Sequence, residues 1–205
     1  MPREHATTHA QTPLWLVAIT ASAGGIQALR TILAYLPADL PAAVVIVQHR
    51  SPTVVSALER ILARVSRLPV QTAMTDDVIL PGRVYVARPD LPLTVQSDRR
   101  FRYRNGSRES ADSCSGNPLL DSAAGVFGRR LLVVVLTEGE MEPTDDVQAV
   151  KAGGGVVLVQ DPGIAAQYGR WLGAGAVDHA LPLESLAPAI AAITQGRPLR
   201  RHAPV

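Results

Sequence analysis

The chain has 205 residues, 47% hydrophobic and 19% charged, so it is long enough for one substantial core and excludes a disordered interaction tail. A net charge of +2, despite an isoelectric point near 9.0, is too small to mark the whole protein as a nucleic-acid binder. The single cysteine, Cys114, excludes an intrachain disulfide framework and supplies no metal cluster.

In chain order, residues 1–13 are polar and lack the apolar core of a secretion signal, which places the protein in the cytoplasm by default. Leu14–Ile19 is a continuous apolar run that predicts a buried strand. Gly24-Gly25 follows, then Ile26, Leu29, Ile32, Leu33 and Leu36 at helical spacing, stopped by Pro37. Ala42–Gln48 predicts a second buried strand, and Pro52-Thr53 opens a helix with Val55, Leu58, Ile61, Leu62 and Val65 on one face. Val70–Met74 reads as a short strand. After the turn signal Pro81-Gly82, the runs Val84–Ala87, Leu93–Val95 and Phe101–Tyr103 read as short strands of a hairpin region.

Residues 104–116 are polar and loop-like, and Asn117-Pro118 opens a helix reaching about Gly128. Leu131–Leu136 is the most hydrophobic strand, and its six residues are far too few to cross a bilayer. A helix over Thr144–Ala152 closes at Gly153-Gly154-Gly155. A strand over Val156–Val159, a helix over Ala165–Leu172, a short strand over Ala176–His179 and a helix over Glu184–Thr194 complete the series. This alternation predicts an α/β domain: a doubly wound, mostly parallel sheet with helices on both faces and a small antiparallel hairpin region. No repeat or linker divides it, so the expected organisation is a lead-in over 1–13, one domain over 14–196 and a tail over 197–205.

Two reactive side chains stand where apolar runs stop. Ser22 follows the first strand and precedes the Gly-Gly helix start, so neighbouring N–H groups and the helix N-terminus can hold developing negative charge. The segment Thr20-Ala21-Ser22-Ala23-Gly24 lacks the first glycine of the usual nucleophile elbow, and a plain helix N-cap remains the alternative for Ser22. His49 ends the second strand. Strands joined by one helix are usually neighbours, which would set Ser22 and His49 side by side at the carboxyl edge, where open α/β sheets bind ligands. A satisfied strand-end histidine is the alternative for His49. His5, His9 and His202 fall in the tails, and His179, in Asp178-His179-Ala180, reads as an exposed strand end.

These segments, in this order, resemble the catalytic domain of the bacterial chemotaxis protein-glutamate methylesterases, the CheB type. The resemblance is carried by Ala21-Ser22-Ala23-Gly24-Gly25, Val47-Gln48-His49, Leu80-Pro81-Gly82-Arg83-Val84-Tyr85-Val86-Ala87 and Pro118-Leu119-Leu120-Asp121. Val133–Thr137 and the stretch from Ala152-Gly153-Gly154 to Gln160-Asp161-Pro162 extend it, so that it covers roughly residues 14–196.

The resemblance implies hydrolysis of glutamate methyl esters, and deamidation of glutamine, on chemoreceptor helices. Ser22 would be the nucleophile and His49 the general base. The family's third member is an aspartate in a segment of the form L-T-G-M-G-x-D-G. Aligned without gaps, Leu136 and Thr137 match, the glycines and methionine do not, and Glu142 takes the aspartate position. Asp145 and Asp146, one turn on, read as dipole partners of the following helix.

The implied partners are methylated chemoreceptor cytoplasmic helices or related signalling proteins, with no nucleic acid, no membrane insertion and neither metal nor organic cofactor. About a dozen residues precede the first strand, fewer than the receiver domain usual in the family, so phosphorylation in cis is not expected. The alternative function is a catalytically impaired interaction module of the same fold, retained after the acid loop diverged.

Arg99-Arg100-Phe101-Arg102-Tyr103-Arg104 alternates charge and ring, so Arg100, Arg102 and Arg104 are expected on one strand face, with Phe101 and Tyr103 on the other. A solvated edge hairpin is one reading, with arginine discouraging edge pairing; a docking face for glutamate-rich receptor helices is the other.

Overall fold

A computed structural model of the chain describes residues 14–21, 25–48, 57–89, 91–104, 117–136, 145–161 and 175–199. Within these, a seven-stranded sheet has the order β3-β4-β2-β1-β7-β8-β9, and each neighbouring pair runs parallel. The strands are β1 (Trp15–Ala21), β2 (Ala42–Gln48), β3 (Val70–Thr72), β4 (Arg83–Val86), β7 (Leu131–Leu136), β8 (Val156–Gln160) and β9 (His179–Leu181). A separate antiparallel pair joins β5 (Leu93–Val95) to β6 (Phe101–Tyr103).

The central strands are apolar on both faces because both faces are covered. On β1, Leu16 and Ala18 pack into one core layer, while Val17, Ile19 and Ala21 pack into the other. Helices α1 (Ile26–Tyr35), α2 (Leu58–Ala63) and α5 (Leu183–Thr194) fill the second layer through Leu29, Ile32, Leu33, Leu58, Leu62, Leu186 and Ile190. Helices α3 (Pro118–Phe127) and α4 (Asp145–Ala152) fill the first, together with Phe101 of the hairpin. Asn117 caps α3: its Oδ1 accepts from the Leu119 N–H, and Pro118 occupies the first turn, where a missing N–H costs nothing.

The structure redraws two elements of the sequence reading. Val84–Ala87 is not a hairpin strand: Arg83–Val86 is a parallel member of the main sheet, between β3 and β2. Its alternation serves two cores, with Val84 and Val86 in one layer and Tyr85 in the other. The Tyr85 ring meets the edge of Phe101 at 5.0 Å, and its hydroxyl donates to the Val78 carbonyl and accepts from the Leu80 N–H.

The last strand lies not at Ala176–His179 but at His179–Leu181. Residues before it are held by a side chain. Asp178 accepts from Lys151 Nζ at 2.6 and 2.7 Å and from the Val157 N–H at 2.8 Å. Lys151, the one lysine of the chain, thereby ties the end of α4 to the entrance of β9. Asp178→Ala strands the Val157 N–H and is expected to cost about 1–3 kcal/mol, read as a lower urea midpoint. Asp178→Asn, which keeps an acceptor for that N–H, should recover part of the loss; an unchanged midpoint in the alanine variant refutes the tie.

The helix expected over Ala165–Leu172 and the first turn of the one expected from Pro52 lie outside the described residues. Among those described, no helix is long and apolar enough to cross a membrane.

Candidate functional site

The site is built by the ends of three strands. In the ladder between β1 and β2, Ala21 is the partner of Gln48; in that between β1 and β7, Ala21 is the partner of Leu136. Three adjacent strands therefore finish at one level of the carboxyl rim, with neighbouring chains about 4.8 Å apart. The next residues in sequence are Ser22, His49 and Thr137. Ser22, His49 and Glu142 themselves lie outside the described residues. Glu142 belongs to the connection 137–144 that leaves β7 and enters α4 at Asp145.

This rim is also where the winding reverses. From β1 the chain proceeds to β2 and β4 on one side, whereas β7 lies on the other. Helix α1, which follows β1, packs on one face; α4, which follows β7, packs on the opposite face. The helices that follow β1 and β7 thus lie on opposite faces, the arrangement at whose switch point doubly wound sheets bind ligands.

The N-terminus of α1 reaches this rim. Its cap is Gly25, which offers no side-chain acceptor, and no acidic residue stands in its first turn. The N-terminal N–H groups and the positive end of the α1 dipole therefore stand at this rim without a side-chain cap. The sequence pattern placed Gly25 at a helix start but did not reveal why glycine is needed there. A Cβ on Gly25 would stand 2.7 Å from the Ala21 Cβ, closer than two carbons approach. Glycine lets the first turn fold back tightly against the last residue of β1. Gly25→Ala is expected to displace that turn at a cost of about 1–3 kcal/mol, visible as a lower thermal midpoint. Adding Ala21→Gly should relieve the clash. A double variant no more stable than Gly25→Ala contradicts this account.

His179, read from the sequence as an exposed strand end, is separated from the rim. It is exposed at the start of β9, three strand spacings from β1, and pairs with Leu158 in the middle of β8.

The arginine ribbon is divided as alternation predicts around its centre: Phe101 is buried and Arg102 exposed. Two of its cations, Arg100 and Arg102, are engaged locally. Arg102 Nη2 lies 3.1 Å from Asp76 Oδ1, Arg100 Nε lies 3.5 Å from Asp98, and Arg100 Nη1 donates to the Asp76 carbonyl. These contacts favour the solvated edge hairpin over a docking face.

A family profile described as CheB methylesterase matches residues 17–190. A Rhizobium meliloti protein named protein-glutamate methylesterase/protein-glutamine glutaminase of group 3 operon is 36% identical over 191 residues, 92% of this chain and 54% of that protein. A Pyrococcus horikoshii protein named protein-glutamate methylesterase/protein-glutamine glutaminase is 33% identical over 201 residues, 91% of this chain and 53% of that protein. The chain thus spans about half the length of these two relatives, although it covers 90% of a Leptospira interrogans relative, 33% identical over 174 residues and 83% of this chain. The crystal structure of the Thermotoga maritima CheB methylesterase catalytic domain superposes with a TM-score of 0.74 and 27% identity, covering 86% of this chain and 97% of that one. With a profile matched over most of its length and a sheet that superposes on that catalytic domain, the chain belongs to the CheB methylesterase family.

Proposed function

We propose that the chain, through the single body spanning 14–196, hydrolyses the γ-methyl esters of glutamate side chains on the cytoplasmic helices of chemoreceptors or related signalling proteins. Three observations support this: the family, the names of the relatives, and the convergence of β1, β2 and β7 at one rim. The last carries the mechanism, because it starts the connections bearing Ser22, His49 and Glu142 from adjacent points.

Ser22 Oγ attacks the ester carbonyl while His49 takes the hydroxyl proton. N–H groups at the start of α1 balance the negative charge that gathers on the carbonyl oxygen. As the tetrahedral intermediate collapses, His49 returns the proton to the departing methoxide, which leaves as methanol. Water then attacks the acyl-enzyme, His49 takes its proton, and the glutamate carboxylate is released with Ser22 restored. Glu142 fixes the tautomer of His49 and offsets the imidazolium charge, the role an acid plays in Ser-His-acid hydrolases. On a glutamine side chain the same steps release ammonia.

The experiment is methanol release from a methylated receptor by the purified protein, with labelling by a fluorophosphonate serine probe in parallel. Turnover with Ser22 as the labelled residue supports the proposal. An inert Ser22 and no methanol overturn it in favour of a binding module.

A further inference from the structure

One residue before the end of β1 stands a polar side chain that the reaction steps above leave unused. Thr20 is 9% exposed and lies on the face of Leu16 and Ala18, between its ladder partners Val47 and Val135. Two other buried threonines are satisfied: Thr94 Oγ1 donates to the Arg102 carbonyl at 2.9 Å, and Thr194 Oγ1 to the Ile190 carbonyl at 2.8 Å. The Thr20 hydroxyl has no hydrogen-bond partner among the described residues. Thr20 also fills the place of the first glycine of the nucleophile elbow, where a glycine would bring no hydroxyl at all.

A hydroxyl so enclosed costs free energy until a partner meets it, and in protein interiors that partner is commonly water. The surroundings limit where a water can stand. Ala18 and Val135 are buried and apolar, whereas Val47 is half-buried, so this face is least closed beside β2. Two positions along the chain from Thr20 is Ser22, and two along from Val47 is His49. A bound water needs roughly two to four polar partners. The hydroxyl therefore lies at the root of the two strands that lead to the nucleophile and the base.

We propose that Thr20 Oγ1 binds the water that hydrolyses the acyl-enzyme, so that Thr20 serves the second half of the reaction alone. This rests on the Ser22–His49 mechanism of the methylesterase reading given above. Thr20 accepts a hydrogen bond from one O–H of the water, and His49 takes the proton of the other. The water oxygen bonds to the acyl carbon, the bond from that carbon to Ser22 Oγ breaks, and His49 returns the proton to Ser22. Attack by Ser22 on the ester involves no water, so the first half proceeds without Thr20.

The test uses the whole chain and p-nitrophenyl acetate, an activated ester. The burst of p-nitrophenol reports attack by Ser22, and the steady state reports deacylation. Thr20→Val keeps the branched shape and removes the hydroxyl. It is expected to leave the burst rate and kcat/KM unchanged and to lower kcat and KM together about tenfold, the scale of one hydrogen bond. Intact mass should show acetyl accumulating on Ser22. Thr20→Ser, which keeps a hydroxyl, should restore kcat, and a urea midpoint for each variant shows that it is folded. Thr20→Ala gives the same reading if valine is not accommodated.

A slowed burst with unchanged deacylation, parental turnover in Thr20→Val, or a serine variant as slow as the valine one overturns the proposal. Methanol release from a methylated receptor is followed with the same samples. If the parent protein turns over the acetate but yields no methanol, the methylesterase reading fails, and the acetate kinetics still decide the role of Thr20. If the parent yields methanol and Thr20→Val deacylates at the parental rate, the water site fails alone. A Ser22 inert towards both esters overturns both.

Discussion

Ser22→Ala is expected to reduce methanol release from a methylated receptor by at least about 10⁴-fold, into the background of the assay. The substitution deletes one oxygen at the residue following Ala21, so the unfolding free energy should stay within about 0.5 kcal/mol of the parent. Activity and stability therefore separate, and the N-cap of α1 is Gly25, not Ser22. Retained turnover in the alanine variant would falsify the nucleophile assignment.

The second large effect concerns the acid. Glu142→Gln keeps the length of the side chain but removes its charge, and kcat is expected to fall about 10⁴-fold, as when the orienting acid of a Ser-His-acid set is neutralised. Glu142→Asp should retain part of the activity if one methylene is all that separates this loop from the family's aspartate. Asp145 and Asp146 open α4, where carboxylates are favoured by the helix dipole. Changing each to Asn should alter kcat less than about threefold, with a small loss of stability. A reversed pattern, with Glu142→Gln active and Asp145→Asn or Asp146→Asn inactive, would move the acid into the first turn of α4.

The sheet was legible wherever a strand is buried on both faces. Ala42–Gln48 and Leu131–Leu136 are unbroken apolar runs, and both strands have the bounds the runs predict. Short strands were harder. Arg83–Val86 alternates like a hairpin strand, but Tyr85 faces a second core, and four residues of alternation do not name their partners. Ala176 and Val177 are apolar and buried, yet pairing with β8 begins only after Asp178, which is tied to Lys151.

Ser22 and His49 stood out because a polar side chain directly after a buried run marks the rim of a parallel sheet. Glu142 was reached only through the family resemblance, because Glu138, Glu140 and Pro143 replace the small residues that would have marked its loop.

The central place of β1 also bears on how the polypeptide is made. One of its flanks is completed by β2, some twenty-seven residues later, but the other must await β7, more than a hundred residues downstream. During synthesis, an apolar strand has one unpaired border until Leu136 has emerged from the ribosome, and unpaired borders invite other chains. A lower expression level, which leaves fewer such borders to meet one another, should therefore raise the yield of dispersed protein, even though it does not change the finished molecule.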